Sequence, residues 1–148
     1  MITKHKIYIL LIALATLLFS ACQEPSSGTK VIKVIDGDSI VIEDSYYVRY
    51  IGIDAPEKGE PYFLEATQLN KKLVEGKKIR MEKDISERDR YGRLLCYVYV
   101  NDVFVNAEIV KLGYAYAKSY PPDIKHQQYL ETLELEAKQL KRGIWKSP

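Results

Sequence analysis

Val34–Glu57, VIDGDSIVIEDSYYVRYIGIDAPE, is the stretch on which the architecture of the chain turns. It holds two apolar strand patterns and two acidic corners, Asp36-Gly37-Asp38 and Asp54-Ala55-Pro56-Glu57, with Arg49 between them. Asp-Gly is a hairpin-turn dipeptide, and Pro56 ends a strand because it has no N–H to give to a ladder. Acidic corners at the ends of short strands suit a hard, oxygen-seeking cation. An arginine beside them suits a phosphate, whose oxygens match the guanidinium fork. The combination predicts metal-assisted phosphodiester chemistry, with a second phosphate-binding cation supplied from elsewhere in the chain.

Outward from this stretch, Val31–Ile35, Ser39–Glu43 and Tyr46–Ile53 read as three strands of an antiparallel meander. The spacing of Ala66, Leu69 and Leu73 predicts a helix over Tyr62–Glu75, with Gly76 as its stop. Lys77–Lys83 and Arg93–Val100 read as the fourth and fifth strands, either side of the polar loop Asp84–Tyr91, and Asn101-Asp102 turns the chain into Val103–Val105. Asn106 is expected to cap a short helix that runs to Leu112 and ends at Gly113. Tyr114–Tyr120 is aromatic and extended or irregular. The last helix is expected over about Asp123–Arg142, on a stripe of His126, Leu130, Leu133, Ala137 and Leu140, with Ile144 and Trp145 folding back as packing residues. On that stripe His126 reads as a hydrogen-bonded packing residue. Five short strands with a helix after the third predict an α+β fold, a five-stranded OB-type β-barrel with three helices. Composition alone leaves other α+β arrangements open.

The 148 residues, 47% hydrophobic and 28% charged, fit one folded domain plus an appendage. The appendage is at the start. Lys4 and Lys6 precede an apolar run, Ile7–Phe19, followed by Ser20-Ala21-Cys22, the pattern of a secretory signal. The run is shorter than the ~20 residues a membrane span needs. Phe19 is bulky where an ordinary cleavage site wants a small residue. Phe19-Ser20-Ala21-Cys22 instead resembles the lipobox of bacterial lipoproteins, although leucine is commoner at the position of Phe19. The resemblance implies cleavage before Cys22, lipidation of Cys22 and a membrane anchor outside the cytoplasm; plain secretion is the alternative. The expected organisation is a signal peptide at 1–21, a lipidated Pro/Ser/Gly-rich tether at 22–29, a folded domain at 30–146 and a tail at 147–148.

Loss of residues 1–21 removes Lys4 and Lys6 and no acid, so the 22 basic residues fall to a balance with the 20 acidic ones. A global basic excess, the usual footprint of a nucleic-acid binder, is therefore absent. A polyanion must be held by local placement of charge. Cys96, in an apolar strand, reads as a small core residue. The two histidines are His5, in the leader, and His126, which argues against zinc sites and histidine-based triads.

Asp36-Gly37-Asp38-Ser39-Ile40, then Arg49, then Ile53-Asp54-Ala55-Pro56-Glu57, resembles the first signature of the staphylococcal nuclease (thermonuclease) family. Asp89-Arg90-Tyr91-Gly92-Arg93 and the strand behind it resemble the second, and the similarity runs over about residues 30–146. The resemblance implies a five-stranded barrel with three helices and calcium-dependent cleavage of DNA and RNA. It also implies roles. Asp38 and Asp54 match direct calcium ligands, and Ala55 a residue that binds through its carbonyl. Glu57 matches the carboxylate proposed as general base, Arg49 and Arg93 the pair that holds the scissile phosphate, and Tyr91 and Tyr120 tyrosines that contact the nucleotide. Asp36 is left as a turn residue, and no protein partner is expected for what reads as a monomer.

The departures from the family pattern keep the chemistry. Ser39 and Ala55 stand in place of threonines, Tyr50 in place of an aliphatic residue, Cys96 in place of a smaller one and Arg90 in place of a lysine; the Ile42–Arg49 hairpin is short. Two rival readings remain, a barrel that binds nucleic acid without cutting it and a lipoprotein that uses the fold as scaffold. Degenerate copies would be expected to lack one or more of Asp38, Asp54, Glu57, Arg49 and Arg93; all five are present. One distance stands out. An extended strand would put Arg49 ~17 Å from Asp54, so the backbone has to bend near Gly52 or the arginine has to reach back.

Overall fold

Strand β1 (Thr29–Val34) buries Val31 and Val34 and exposes Ile32 and Lys33, because its pairing with the next strand slips between Val31 and Lys33. That bulge bends the sheet at the point where a small barrel must curve. β2 (Ser39–Ile42) and β3 (Tyr47–Tyr50) complete the antiparallel meander. β5 (Lys78–Glu82) pairs with β1 on one side and with β6 (Leu94–Val100) on the other. β6 then pairs with β3 in parallel, Arg49 opposite Leu95 and Tyr50 opposite Cys96. This closes the circuit β1-β2-β3-β6-β5. The expected five-stranded barrel is present, with the mixed pairing set by that one parallel seam. The computed structural model describes residues 28–146, so the leader, Cys22 with most of the tether, and residues 147–148 lie outside it.

Alternate residues fill the barrel: Val31, Ile40, Ile42, Val48, Tyr50, Ile79, Cys96 and Val98 are all buried. Burying such side chains is worth ~1.5–3 kcal/mol each. Among the described residues three α-helices pack around the barrel, as expected. Helix α1 (Phe63–Val74) turns Ala66, Asn70 and Val74 inward at four-residue spacing. Its Asn70 accepts from the buried Tyr50 hydroxyl at 2.9 Å and donates to Asp36 O at 2.8 Å, tying the helix to the first acidic corner. Helix α2 (Val105–Lys111) follows the two-residue strand β7 (Val103–Phe104). Helix α3 (Gln127–Gln139) buries Leu130, Leu133 and Ala137. No described helix is long and apolar enough to cross a membrane. Trp145, on a final 3-10 turn, packs edge-on against Tyr116 at 5.3 Å, as the expected fold-back requires.

Three expectations are corrected. The strand expected over Tyr46–Ile53 is two strands: β3 stops at Tyr50, and β4 (Ile53–Asp54) pairs instead with β8 (Tyr116–Ala117). The break is at Gly52, whose φ of +78° is open to glycine and strained for other residues. Asn106 does not cap α2. It lies within the first turn, fully buried, accepting from Val98 N at 3.0 Å and donating to Ile51 O at 2.9 Å. Its side chain serves the backbone groups freed where β3 ends. Finally, α3 begins at Gln127, because residues 120–126 form turns in which buried Asp123 accepts from Ser86 N at 2.7 Å.

Candidate active site

The bend at Gly52 brings Arg49 back onto Asp54. The guanidinium Nη2 donates to Asp54 Oδ1 at 2.9 Å, while Nη1 lies 3.1 Å from Asp38 Oδ2. Nη1 also donates to the carbonyls of Tyr50 and Ile53, at 3.0 and 2.9 Å. One arginine thus holds both acidic corners and staples the turn between them. Ala55 N–H donates to Asp38 Oδ2 at 2.7 Å, so the second corner also caps the first. Gly37 lies against this joint, where an added Cβ would fall 2.6 Å from the Ala55 methyl.

Asp38 is 5% exposed, which for a carboxylate is costly unless it is paired. Burial pushes its carboxyl up to about 7; the Arg49 charge opposes the rise and the neighbouring Asp36 adds to it. Asp36 Oδ1 itself accepts the Asp38 amide at 3.0 Å, the geometry of a turn residue. Asp54 is more open, and its Oδ2 accepts from Lys118 Nζ at 2.7 Å. Among the described residues no group of three or more His, Cys, Asp or Glu side chains could hold a metal alone. Two carboxylates fit a hard cation whose remaining ligands are backbone carbonyl, water and substrate oxygens. The buried Asp38 carboxylate, opposed by a single shared guanidinium, fits such an ion, because a divalent charge would favour the ionised form that burial disfavours.

Arg93 stands immediately before β6. Its Nε donates to Asp89 Oδ2 at 2.7 Å, and Asp89 Oδ1 accepts the amides of Tyr91 and Arg93. Burial raises Asp89, but the Arg93 side chain and those amides outweigh it and hold the carboxyl below its usual range. Asp89 therefore aims Arg93 and leaves both terminal nitrogens for a ligand. Arg49, Arg93, Tyr91, Tyr120 and Asp123 line one cleft of about 520 Å³. Arg90 Nη2 donates to the Tyr91 hydroxyl at 2.6 Å, and its guanidinium lies 4.8 Å from that ring.

The structure thus joins Asp38, Asp54, Ala55 and Arg49 in one network and sets Arg93, Tyr91 and Tyr120 on the cleft that Arg49 shares. Glu57 is exposed beyond Ala55, its amide donating to Glu60 Oε2 at 2.7 Å; among the described residues no side-chain hydrogen bond or ion pair links it to the network. Two residues gain parts that sequence reasoning did not assign. Asp89 was within reach, being four residues before Arg93. Lys118 was not, since no pattern marks a lysine 64 residues from its partner.

The family described as "Staphylococcal nuclease homologue" matches residues 47–147. The chain belongs to the staphylococcal nuclease family. The family match begins after Asp38, but pairwise similarity is broader. A "Thermonuclease" of Staphylococcus hyicus is 39% identical over 125 residues, 78% of this chain and 74% of that one. A "Thermonuclease" of Staphylococcus intermedius is 37% identical over 124 residues, with the same coverage. An "Uncharacterized endonuclease" of Escherichia coli is 40% identical over 121 residues, 78% of this chain and 75% of that one. As a staphylococcal nuclease homologue, the chain has relatives named for nucleic-acid cleavage in both staphylococci and Escherichia coli.

Proposed function

We propose that this family member is a calcium-dependent endonuclease that hydrolyses phosphodiester bonds of DNA and RNA outside the cytoplasm. The observation that carries the reading is the Arg49 clamp: two carboxylates from separate corners meet on one guanidinium, at the edge of a cleft that also presents Arg93. Asp38, Asp54 and the Ala55 carbonyl would hold the calcium ion. When bound, calcium supplies Lewis-acid polarisation of a phosphoryl oxygen.

The protein's own groups do the rest. Arg93 offers its two free terminal nitrogens to the scissile phosphate, matching two oxygens at once. Arg49 holds the two carboxylates in place and adds positive charge beside the phosphoryl oxygens, where negative charge gathers on attack. Glu57, exposed beyond Ala55, takes the proton of the attacking water. Tyr91 and Tyr120 flank the cleft as surfaces for the nucleotide. Digestion of plasmid and RNA is expected with calcium, to be abolished by EDTA and to fall sharply in Glu57→Ala. Cleavage unaffected by EDTA would overturn the calcium requirement.

Location forms a separate part of the proposal. The Phe19-Ser20-Ala21-Cys22 pattern supports a signal at 1–21 and a lipid anchor on Cys22, from which the tether suspends the nuclease domain. Metabolic labelling with palmitate is expected in the wild type and lost in Cys22→Ala. A Cys22→Ala chain that still labels removes the anchor.

A further inference from the structure

Both oxygens of Asp54 are already occupied by cations. Oδ1 accepts from Arg49 at 2.9 Å and Oδ2 from Lys118 at 2.7 Å. The two partners are not equivalent. Arg49 is 12% exposed and fastened by two backbone carbonyls, whereas the Lys118 side chain is 51% exposed. Only the main chain of Lys118 is pinned, its amide donating to Gly52 O at 2.9 Å just beyond β8. A calcium ion needs a ligand oxygen at ~2.3–2.6 Å. An ammonium group at hydrogen-bonding distance from the same carboxylate would then stand almost against the ion. Two cations on one carboxylate repel, and the more exposed, less fastened of the protein's two is the one to be displaced.

We propose that Lys118 is a displaceable occupant of the cation site: it neutralises Asp54 in the metal-free protein, is expelled by calcium, and then serves a substrate phosphate. The inference rests on the calcium reading above. The second position is close at hand. Lys118 Nζ lies 5.7 Å from the ring of Tyr120, and Tyr120 lines the cleft with Arg49 and Arg93. A swing of the four-carbon stem takes the charge from the carboxylate to the path of a polyanion, while β8 stays paired with β4. Calcium and nucleic acid would then help each other bind, because one releases the cation that the other uses, and such coupling is reciprocal.

The test titrates calcium into the detergent-solubilised full chain by calorimetry, comparing wild type with Lys118→Met and with Lys125→Met. Lys125 pairs with Glu82, so the second variant makes the same charge change at another ion pair. Removing the occupant is expected to tighten calcium binding about two- to fivefold, the range for an exposed ion pair, with the control unmoved. Acylation of Lys118, followed by mass spectrometry, is expected to quicken on adding calcium. It should slow again with a nuclease-resistant phosphorothioate oligonucleotide. Equal calcium affinity in wild type and Lys118→Met, with Lys118 reactivity indifferent to calcium, overturns the inference and leaves the calcium reading standing. No calcium binding to either protein overturns both.

Discussion

Arg49 and Arg93 carry the same group and are held in different ways, and lysine substitutions separate the two. Arg49 spends its donors inside the protein, on Asp38, Asp54 and two carbonyls. Arg93 commits only Nε, to Asp89. A lysine keeps the charge but cannot reproduce either fork. In Arg93→Lys, activity is expected to fall on the order of 10²–10³, as when one preorganised donor is lost, with little change in melting temperature. Arg49→Lys is expected to lose comparable activity and also roughly 1–3 kcal/mol of stability, because buried Asp38 keeps a poorer partner. Single-turnover cleavage and thermal melts on the same preparations make the comparison. Equal losses of stability in the two variants would show that Arg49 has no special structural part.

The junction between β3 and β4 decides where Arg49 ends up, and it depends on one glycine. At Gly52 a methyl group would meet Leu130 Cδ1 at 2.6 Å and would also require a left-handed backbone at φ +78°. Gly52→Ala is expected to cost ~1–3 kcal/mol and to lower cleavage as well, since the bend sets the reach from Arg49 to Asp54. Chemical denaturation and activity measured together test it; a variant that loses stability with full activity would uncouple the bend from the site. This junction also marks the limit of what the sequence makes legible. The meander, the acidic corners and Arg93 can be read from short-range pattern: alternation, turn dipeptides and charged residues at fixed offsets. A bend near Gly52 is also expected from the sequence, but the pairing of Ile53–Asp54 with β8 and the inward turn of Asn106 cannot be read there. Both answer to a backbone that leaves one strand for another, and Asn106 lies 55 residues from the Ile51 carbonyl it satisfies. Asparagine before a helical pattern is ordinarily a cap, and here the tertiary demand prevails over that local preference.

Taken whole, the molecule carries a second ionic cluster between β5 and the entry to α3. Glu82, in β5, accepts from Lys125 at 2.7 Å and pairs with His126 at 2.8 Å, at the entry to α3. The Lys125 hydrogen bond, against some opposing burial and with help from His126, lowers the Glu82 carboxyl from 4.5 to about 2. A lowered carboxylate stabilises the fold above its unfolded pKa, and that contribution drains away as pH falls through the folded one. Glu82→Gln is therefore expected to be less stable than wild type by ~1 kcal/mol at pH 7. The gap should shrink below about pH 4.5 and vanish near pH 2, the interval between the two values. Urea unfolding of both proteins across that range would show it, and a gap independent of pH would rule the linkage out.

The parallel seam between β3 and β6 has a further consequence. Arg49, which holds Asp38 and Asp54, shares a cleft with Arg93 only where β3 and β6 have paired, and Lys118 follows later still along the chain. A polypeptide drawn out as a thread for export would carry each of these side chains and none of their geometry. On the proposed route the producing cell's own nucleic acid would meet the unassembled chain, and the cleaving form would arise beyond its reach.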